Sequence, residues 1–114
     1  MIDFACKKFN LDEVVKCSLA LSKSDFRLLR FLIANDKRFT TEELAAELKL
    51  DKSTIQRGVK RLHEKDLVKR SQINQSAGGY IFLYQIKDKE KIRKIILNIV
   101  EGWTETVRQS IKRW

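Results

Sequence analysis

The sequence predicts a mainly α-helical fold with one small β-hairpin, which places it in the α+β class. Two observations carry this prediction. Apolar residues recur at helical spacing through most of the 114-residue chain. Residues 66–86 instead combine β-branched and aromatic residues, in alternation, with a Gly-Gly pair. The hydrophobic fraction of 43% is enough for a core, so we expect one compact domain.

Two helices are predicted before residue 40. The first begins at Asn10 and runs to about Leu19, because Asn10 is a good N-cap and Glu13 can reach back to it as in a capping box. The second begins after Ser22, where Asp25 completes a weaker capping box. Its apolar stripe contains Phe26, Leu29, Leu32 and Ile33, widened by Leu28 and Phe31.

Residues 40–70 hold the most informative pattern, TTEELAAELKLDKSTIQRGVKRLHEKDLVKR. Thr40 and Glu43 form a clear capping box for a helix that ends near Leu50. Asp51 is a strong N-cap for the helix that follows. Two helices joined by so short a turn predict a helix-turn-helix, and the strand after them predicts a wing.

The second of these helices, over about residues 52–65, divides into two faces. Its core face consists of Ile55, Val59 and Leu62. The other face carries hydroxyl, amide and basic groups, which read base edges and neutralise phosphates. Residues 51–70 hold seven Lys or Arg against three Asp or Glu. The alternative is an ordinary solvent-exposed face. Three features favour a recognition helix: the short two-helix hairpin, the small polar residues at the start of the second helix, and the excess of basic side chains.

Gly58 lies inside this helix, where glycine costs about 1 kcal/mol relative to alanine. We interpret it as a point of close packing against the preceding helix. The hairpin follows as DLVKRSQI and YIFLYQI, separated by Gly78-Gly79, so residues 74–79 form the tip of the wing. One face of the second strand carries Tyr80, Phe82, Tyr84 and Ile86.

Residues 88–114 return to a helical period with an apolar stripe along one side. Two tryptophans near the far end would be unusual exposed on a monomer. We therefore expect a homodimer, with the interface at Ile96, Val100, Trp103, Val107, Ile111 and Trp114.

The stretch ELAAELKLDKSTIQRGVKRLHEKDLVKR resembles the winged helix-turn-helix of MarR and TrmB-like transcriptional regulators, small archaeal ones in particular. The resemblance covers about residues 21–86 and implies a dimerising C-terminal helix after them. It divides the chain into an N-terminal helical extension (1–21), a DNA-binding domain (22–87) and a dimerisation helix (88–114). The wing of MarR proteins usually carries an Asp and Arg pair, whereas this chain has NQSAGGY.

We predict a regulator that binds double-stranded DNA, with residues 52–65 in the major groove and the wing, residues 73–80, on the backbone or minor groove. The residues predicted to face bases are Ser53, Thr54, Gln56 and Arg57. Those predicted to hold phosphates are Lys52, Lys60 and Arg61. The predicted wing contacts are Arg70, Gln72, Asn74, Gln75 and Tyr80.

The net charge of +9 favours a polyanionic partner. A protein-interaction module within a larger assembly is the alternative function. We expect no enzyme and no cofactor, because the sequence shows no catalytic constellation. No stretch approaches the roughly 18 apolar residues of a membrane helix, and residues 1–10 do not form a signal peptide, so we expect a cytoplasmic protein without membrane contact.

Cys6, Cys17 and His63 are the only soft metal ligands in the chain, too few for a structural zinc site. A disulfide is unexpected in a reducing cytoplasm. The two cysteines are either small buried hydrophobes or a redox sensor. His63 is either packed at the border of the core or in contact with phosphate. An effector, whether a small molecule or an oxidant, stays open.

Overall fold

The computed structural model describes residues 2–114 and confirms the predicted α+β class. The elements in chain order are β1 (Ile2–Asp3), β2 (Lys8–Phe9), α1 (Leu11–Ser18), α2 (Lys23–Ala34), α3 (Thr41–Leu48), α4 (Lys52–Glu64), β3 (Val68–Asn74), β4 (Tyr80–Ile86) and α5 (Lys89–Lys112). The chain forms two compact units. Residues 22–89 form the winged unit, and residues 2–21 together with 90–114 form the terminal unit.

The predicted start of α3 is confirmed in both halves of its capping box. The Glu43 amide donates to the Thr40 hydroxyl at 3.1 Å, and the Thr40 amide donates to the Glu43 carboxylate at 3.0 Å. The helix ends at Leu48, two residues before the predicted Leu50, because Lys49 adopts the left-handed conformation with a φ of 54°. Such a C-terminal residue closes the last turn and redirects the chain into α4.

The core of the winged unit is aliphatic and is shared by α2, α3, α4 and the base of the hairpin. Its fully buried side chains are Leu28, Leu29, Leu32, Leu44, Ile55, Val59, Leu62, Leu67 and Val68. The buried face of α2 is rotated by part of a turn from the apolar stripe predicted from the sequence. Phe26 and Ile33 are only half-buried, whereas Leu28 is fully buried and Asp25 is buried beside it. Each fully buried leucine contributes about 1.5–3 kcal/mol to folding.

The wing is an antiparallel hairpin in which β3 and β4 pair from Val68 with Ile86 to Asn74 with Tyr80. A short bridge extends the sheet at its base. The Phe39 amide donates to the Tyr84 carbonyl at 2.9 Å, and the Tyr84 amide donates back at 2.8 Å. The segment that leads into α3 is therefore tied to the base of the wing.

The terminal unit contains the predicted helices α1 and α5. Asn10 caps α1 as predicted, accepting from the Glu13 amide at 2.8 Å. The N-terminal segment, which the sequence indicated only as a lead-in, forms a small antiparallel hairpin of β1 and β2. Phe4, beside this hairpin, meets the rings of Phe9 and Trp103 edge-on, with centroids 5.6 and 6.4 Å away. At 24 residues, α5 is about 36 Å long.

Candidate nucleic-acid interface

The two predicted faces of α4 are confirmed by burial. Ile55, Val59 and Leu62 are at most 1% exposed and hold the helix to the core. The side chains exposed on the other side are Lys52, Ser53, Gln56, Arg57 and Lys60. Thr54 is half-buried, so it is less available to a ligand than its neighbours. The helix presents a basic and amide-bearing surface along about three turns.

The start of α4 differs in one detail from the sequence prediction. Asp51 occupies the N-cap position, but its side chain makes no capping hydrogen bond. Lys52 instead lies 3.1 Å from Glu42 at the start of α3, with both side chains largely exposed. Exposed ion pairs of this kind contribute little to stability, so the Lys52 ammonium can exchange Glu42 for another anion.

Arg61 does not point freely into solvent. Its Nε donates to Asp25 Oδ2 at 2.7 Å and its Nη2 donates to Oδ1 at 2.8 Å, which is a bidentate pair between α4 and α2. The hydrogen bond to Asp25 is the main cause of a raised pKa for the Arg61 guanidinium. Because its charge is already matched within the protein, Arg61 is less available to a phosphate than the other predicted cations.

The same pair corrects the predicted capping box at the start of α2. The Asp25 amide donates to the Ser22 hydroxyl at 3.2 Å, as a cap requires. The Asp25 carboxylate, however, turns away from Ser22 towards Arg61. Asp25 is only 3% exposed and is the buried charged residue of the described core. Burial of a carboxylate requires such a partner, because an unpaired charge is costly away from water.

Gly58 marks the close approach that the sequence indicated, although its partner is α2 and not the immediately preceding helix α3. A Cβ at this position would lie 3.0 Å from Leu28 Cδ2 and 3.2 Å from Asp25 Oδ1. Those contacts are tighter than ordinary van der Waals distances. Glycine thus allows the backbone of α4 to lie against α2 beside the Arg61–Asp25 pair.

The wing carries an ordered row of side chains on one face. The Arg70 guanidinium carbon lies 4.4 Å from the centroid of the Phe82 ring, and the Tyr80 ring lies 5.2 Å from the same ring. Gln72 donates to Asn74 at 3.4 Å further along β3. Tyr80 remains 57% exposed near the tip. A stacked guanidinium keeps hydrogen-bond donors along its edge, so Arg70 is held in place yet open to an anion.

The tip of the wing depends on Gly78 and Gly79, whose φ values are +95° and +79°. Other residues rarely adopt this conformation. The Gln75 amide donates to the Gly79 carbonyl at 3.0 Å, which closes the turn. A Cβ on either glycine would meet no atom within 4 Å, so these residues serve the turn and not a packed contact.

The structure brings several predicted contacts together in one groove. Lys52 and Gln56 of α4 line it from one side, and Gln75 with Phe82 of the wing from the other. Three of the predicted contacts, Lys52, Gln56 and Gln75, therefore line one groove, together with Glu42 at the start of α3. Backbone-contacting cations and base-reading amides are the two kinds of group that a DNA duplex requires.

The terminal unit exposes much of the predicted dimer interface. Trp103, Ile111 and Trp114 are 58%, 52% and 98% exposed. Val107 is also exposed, and Ile96 and Val100 are half-buried. Monomeric proteins rarely expose a contiguous apolar surface of this kind. Ile92, near the start of α5, is by contrast buried.

The remaining candidates are exposed. Cys6 and Cys17 are free and exposed, so the interpretation of two buried hydrophobes is wrong, and the redox sensor stays a prediction. His63 is exposed and not packed, so only the phosphate contact stays a prediction for it. Nowhere in the described part of the chain do three or more His, Cys, Asp or Glu form a group able to hold a metal ion. Among residues 2–114, no helix has the length and apolar character needed to cross a membrane.

Comparison with known proteins agrees with this geometry. A model of the MarR family matches residues 21–75. A solved structure described as a possible transcriptional regulator from Methanosarcina mazei is 45% identical, with a TM-score of 0.95. The alignment covers 100% of this chain and 96% of that one. The resemblance and the winged helix-turn-helix fold predicted from the sequence are both confirmed.

More distant proteins also match this chain, one by sequence and one by structure. An uncharacterized protein of Methanocaldococcus jannaschii is 29% identical over 96% of this chain and 79% of its own length. A mutant of MepR from Staphylococcus aureus, in a structure described as bound to an oligodeoxyribonucleotide, is 15% identical with a TM-score of 0.58. That alignment covers 86% of this chain and 71% of the MepR chain. At this identity the likeness is one of fold alone.

Proposed function

Because the chain belongs to the MarR family, we propose that it is a sequence-specific regulator that binds double-stranded DNA as a homodimer. Its transcriptional-regulator fold implies DNA binding. The single observation that best supports the specific proposal is the groove in which Lys52 and Gln56 of α4 meet Gln75 of the wing. Lysine ammonium and glutamine amide groups are the kinds of group that contact DNA phosphates and base edges.

In the proposed complex, α4 enters the major groove. Ser53, Gln56 and Arg57 project from its exposed face, and arginine and glutamine form the common bidentate contacts with guanine and adenine. Lys52 and Lys60 lie on the same exposed surface and are assigned to phosphates. Thr54 has a lesser role because it is half-buried.

The wing lies along the DNA backbone or the adjoining minor groove. Arg70, held on Phe82, is assigned to a phosphate. Gln72, Asn74 and Gln75 are exposed on β3 and its turn and supply uncharged hydrogen-bond donors and acceptors. Tyr80, exposed near the tip, packs against the sugar and phosphate chain. In this proposal, the wing contacts DNA without the Asp and Arg pair that the wing of MarR proteins usually carries.

The homodimer is assigned to the terminal unit. A helix-turn-helix dimer meets two successive major grooves about 34 Å apart, so a second surface must set that spacing. The exposed Trp103, Ile111 and Trp114 of α5 supply an apolar surface for a two-fold contact. Pairing of two copies covers the same patch on each protomer.

Salt dependence separates this function from the alternative, a protein-interaction module. The test measures fluorescence anisotropy of a labelled random duplex that is long enough for two half-sites. With Lys52, Lys60 and Arg70 of both protomers on phosphates, the slope of log affinity against log salt is expected to be about −5. A slope shallower than about −2, or no binding, contradicts the proposed footprint and favours the interaction module.

A further inference from the structure

The buried carboxylate of Asp25 binds Arg61, one of the basic side chains of α4. Asp25, 3% exposed in the first turn of α2, holds Arg61 through two hydrogen bonds of 2.7 and 2.8 Å. Arg61 follows Arg57 by about one helical turn, on the flank of the exposed face of α4. Its side chain is still 43% exposed.

Asp25 has little freedom to move away from this position. Its amide is fixed by the Ser22 hydroxyl at 3.2 Å, and its Oδ1 would lie 3.2 Å from a Cβ on Gly58. The absence of a side chain at Gly58 is what gives the carboxylate room beside α4. The pair is therefore built from both helices.

The charge of Arg61 has a direct consequence for DNA binding. Sequence-independent affinity grows with the number of phosphates that protein cations neutralise, and each such contact adds about 0.9 to the salt slope. A guanidinium matched by a buried carboxylate adds little to that number. A free guanidinium at the same place, beside Arg57, would attract phosphate on any sequence.

We propose that Asp25 is a specificity-determining residue, which withholds Arg61 from the DNA backbone and so limits binding to random sequences. This inference rests on the proposed function. It adds that the winged unit regulates its own non-specific affinity through an acid that never touches DNA. A purely structural role for the pair would affect folding stability but not the number of phosphates contacted.

The experiment compares wild type with Asp25→Asn and with Asp25→Leu/Arg61→Met, on a selected site and on a random duplex. Asparagine keeps the shape and one acceptor for Arg61 but removes the compensating charge. The double variant removes both charges and fills the space with apolar groups, a replacement that proteins often tolerate. Thermal unfolding of each variant establishes that it is folded at the temperature of the binding measurement.

Asp25→Asn should bind random DNA more tightly at low salt, with a slope steeper by about 0.9 per protomer. For a dimer, its affinity relative to wild type should change about tenfold between roughly 50 and 200 mM salt. The ratio of specific to random affinity should fall. The double variant should keep the wild-type slope, because neither protein presents a free Arg61.

Two results would overturn the inference while leaving the proposed function intact. One is an Asp25→Asn protein with the wild-type salt slope. The other is a double variant with a slope shallower than wild type by about 0.9 per protomer, which would make Arg61 a phosphate contact in the native protein. A wild type that binds no duplex would overturn the proposed function itself, and this inference with it.

Discussion

Arg70 stacks on Phe82 across the wing, with its guanidinium carbon 4.4 Å from the ring centroid. The two residues are diagonal neighbours, since Gln72 is the residue paired with Phe82 in the hairpin. Stacking on an exposed aromatic ring is worth about 0.5–1 kcal/mol and restricts a flexible side chain to one position. Phe82 also lines the groove shared with Lys52 and Gln56, so Arg70 is held on the face that we assign to DNA.

Arg70→Ala should therefore weaken binding to every duplex and flatten the salt slope by about 0.9 per protomer. Lys69→Ala is the matched control, because Lys69 carries the same charge but points to the opposite face of β3. Phe82→Leu should lower affinity less than Arg70→Ala, because it removes the ordering of the guanidinium and not the charge. Anisotropy titrations at several salt concentrations measure all three, and equal slopes for Arg70→Ala and Lys69→Ala would refute this assignment.

Mutations in α4 can separate residues that recognise bases from residues that bind phosphates. Arg57→Ala should cost about 1–3 kcal/mol on a specific site and relax the preference at one base pair. Lys60→Ala should weaken all sequences alike and flatten the salt slope by about one per contact. Competition between specific and random duplexes decides the matter. If both variants lose affinity equally on the two kinds of DNA, Arg57 does not contact a base.

The helix starts and faces could be predicted because they depend on neighbours in the sequence. Thr40 and Glu43 form both halves of their capping box as expected. Asn10 accepts from the Glu13 amide as expected, but the Glu13 carboxylate accepts from the Asn10 side chain and not from its backbone amide. The buried face of α4 follows from the helical period, which places Ile55 on the core side. The alternating aromatic residues of β4 likewise indicated the hairpin.

The Asp25–Arg61 pair could not be predicted, because its members are 36 residues apart and the chain offers 24 basic and 15 acidic side chains for pairing. Asp25 looked like a local cap, and only the packing of α2 on α4 diverts it. The strands β1 and β2 have two residues each, too short for an alternating pattern to be visible. The exposure of Cys6 and Cys17 also depends on tertiary packing, which their spacing does not encode.

Gly58→Ala should destabilise the protein even though alanine favours helix by about 1 kcal/mol. The new methyl group would lie 3.0 Å from the buried Leu28 side chain, and overpacking of this kind typically costs about 1–3 kcal/mol. Gly102→Ala is the control, because a Cβ there meets no atom within 4 Å. Chemical denaturation measures both. Equal stabilisation by the two substitutions would mean that α2 and α4 do not approach closely at Gly58.

Sedimentation tests the apolar surface of α5. Wild type at micromolar concentration should sediment at twice the chain mass of 13.4 kDa. Ile111→Glu places a charge on the exposed stripe and should shift the protein towards monomer, since burial of an unpaired charge in an interface is costly. Gln109→Glu adds the same charge outside the stripe and should leave the dimer intact. A wild-type protein that sediments as a monomer would contradict the proposed homodimer.

Selection of bound fragments from a random DNA pool tests the central proposal most directly, because it reports sequence preference and symmetry together. Two copies of α4 in successive major grooves predict an enriched palindrome whose half-site centres are about 10 bp apart. Arg57→Ala in the same selection should lose the preference at one position in each half-site. A pool that shows no enriched sequence after repeated rounds, or a single site without two-fold symmetry, would contradict a homodimer that reads DNA through α4.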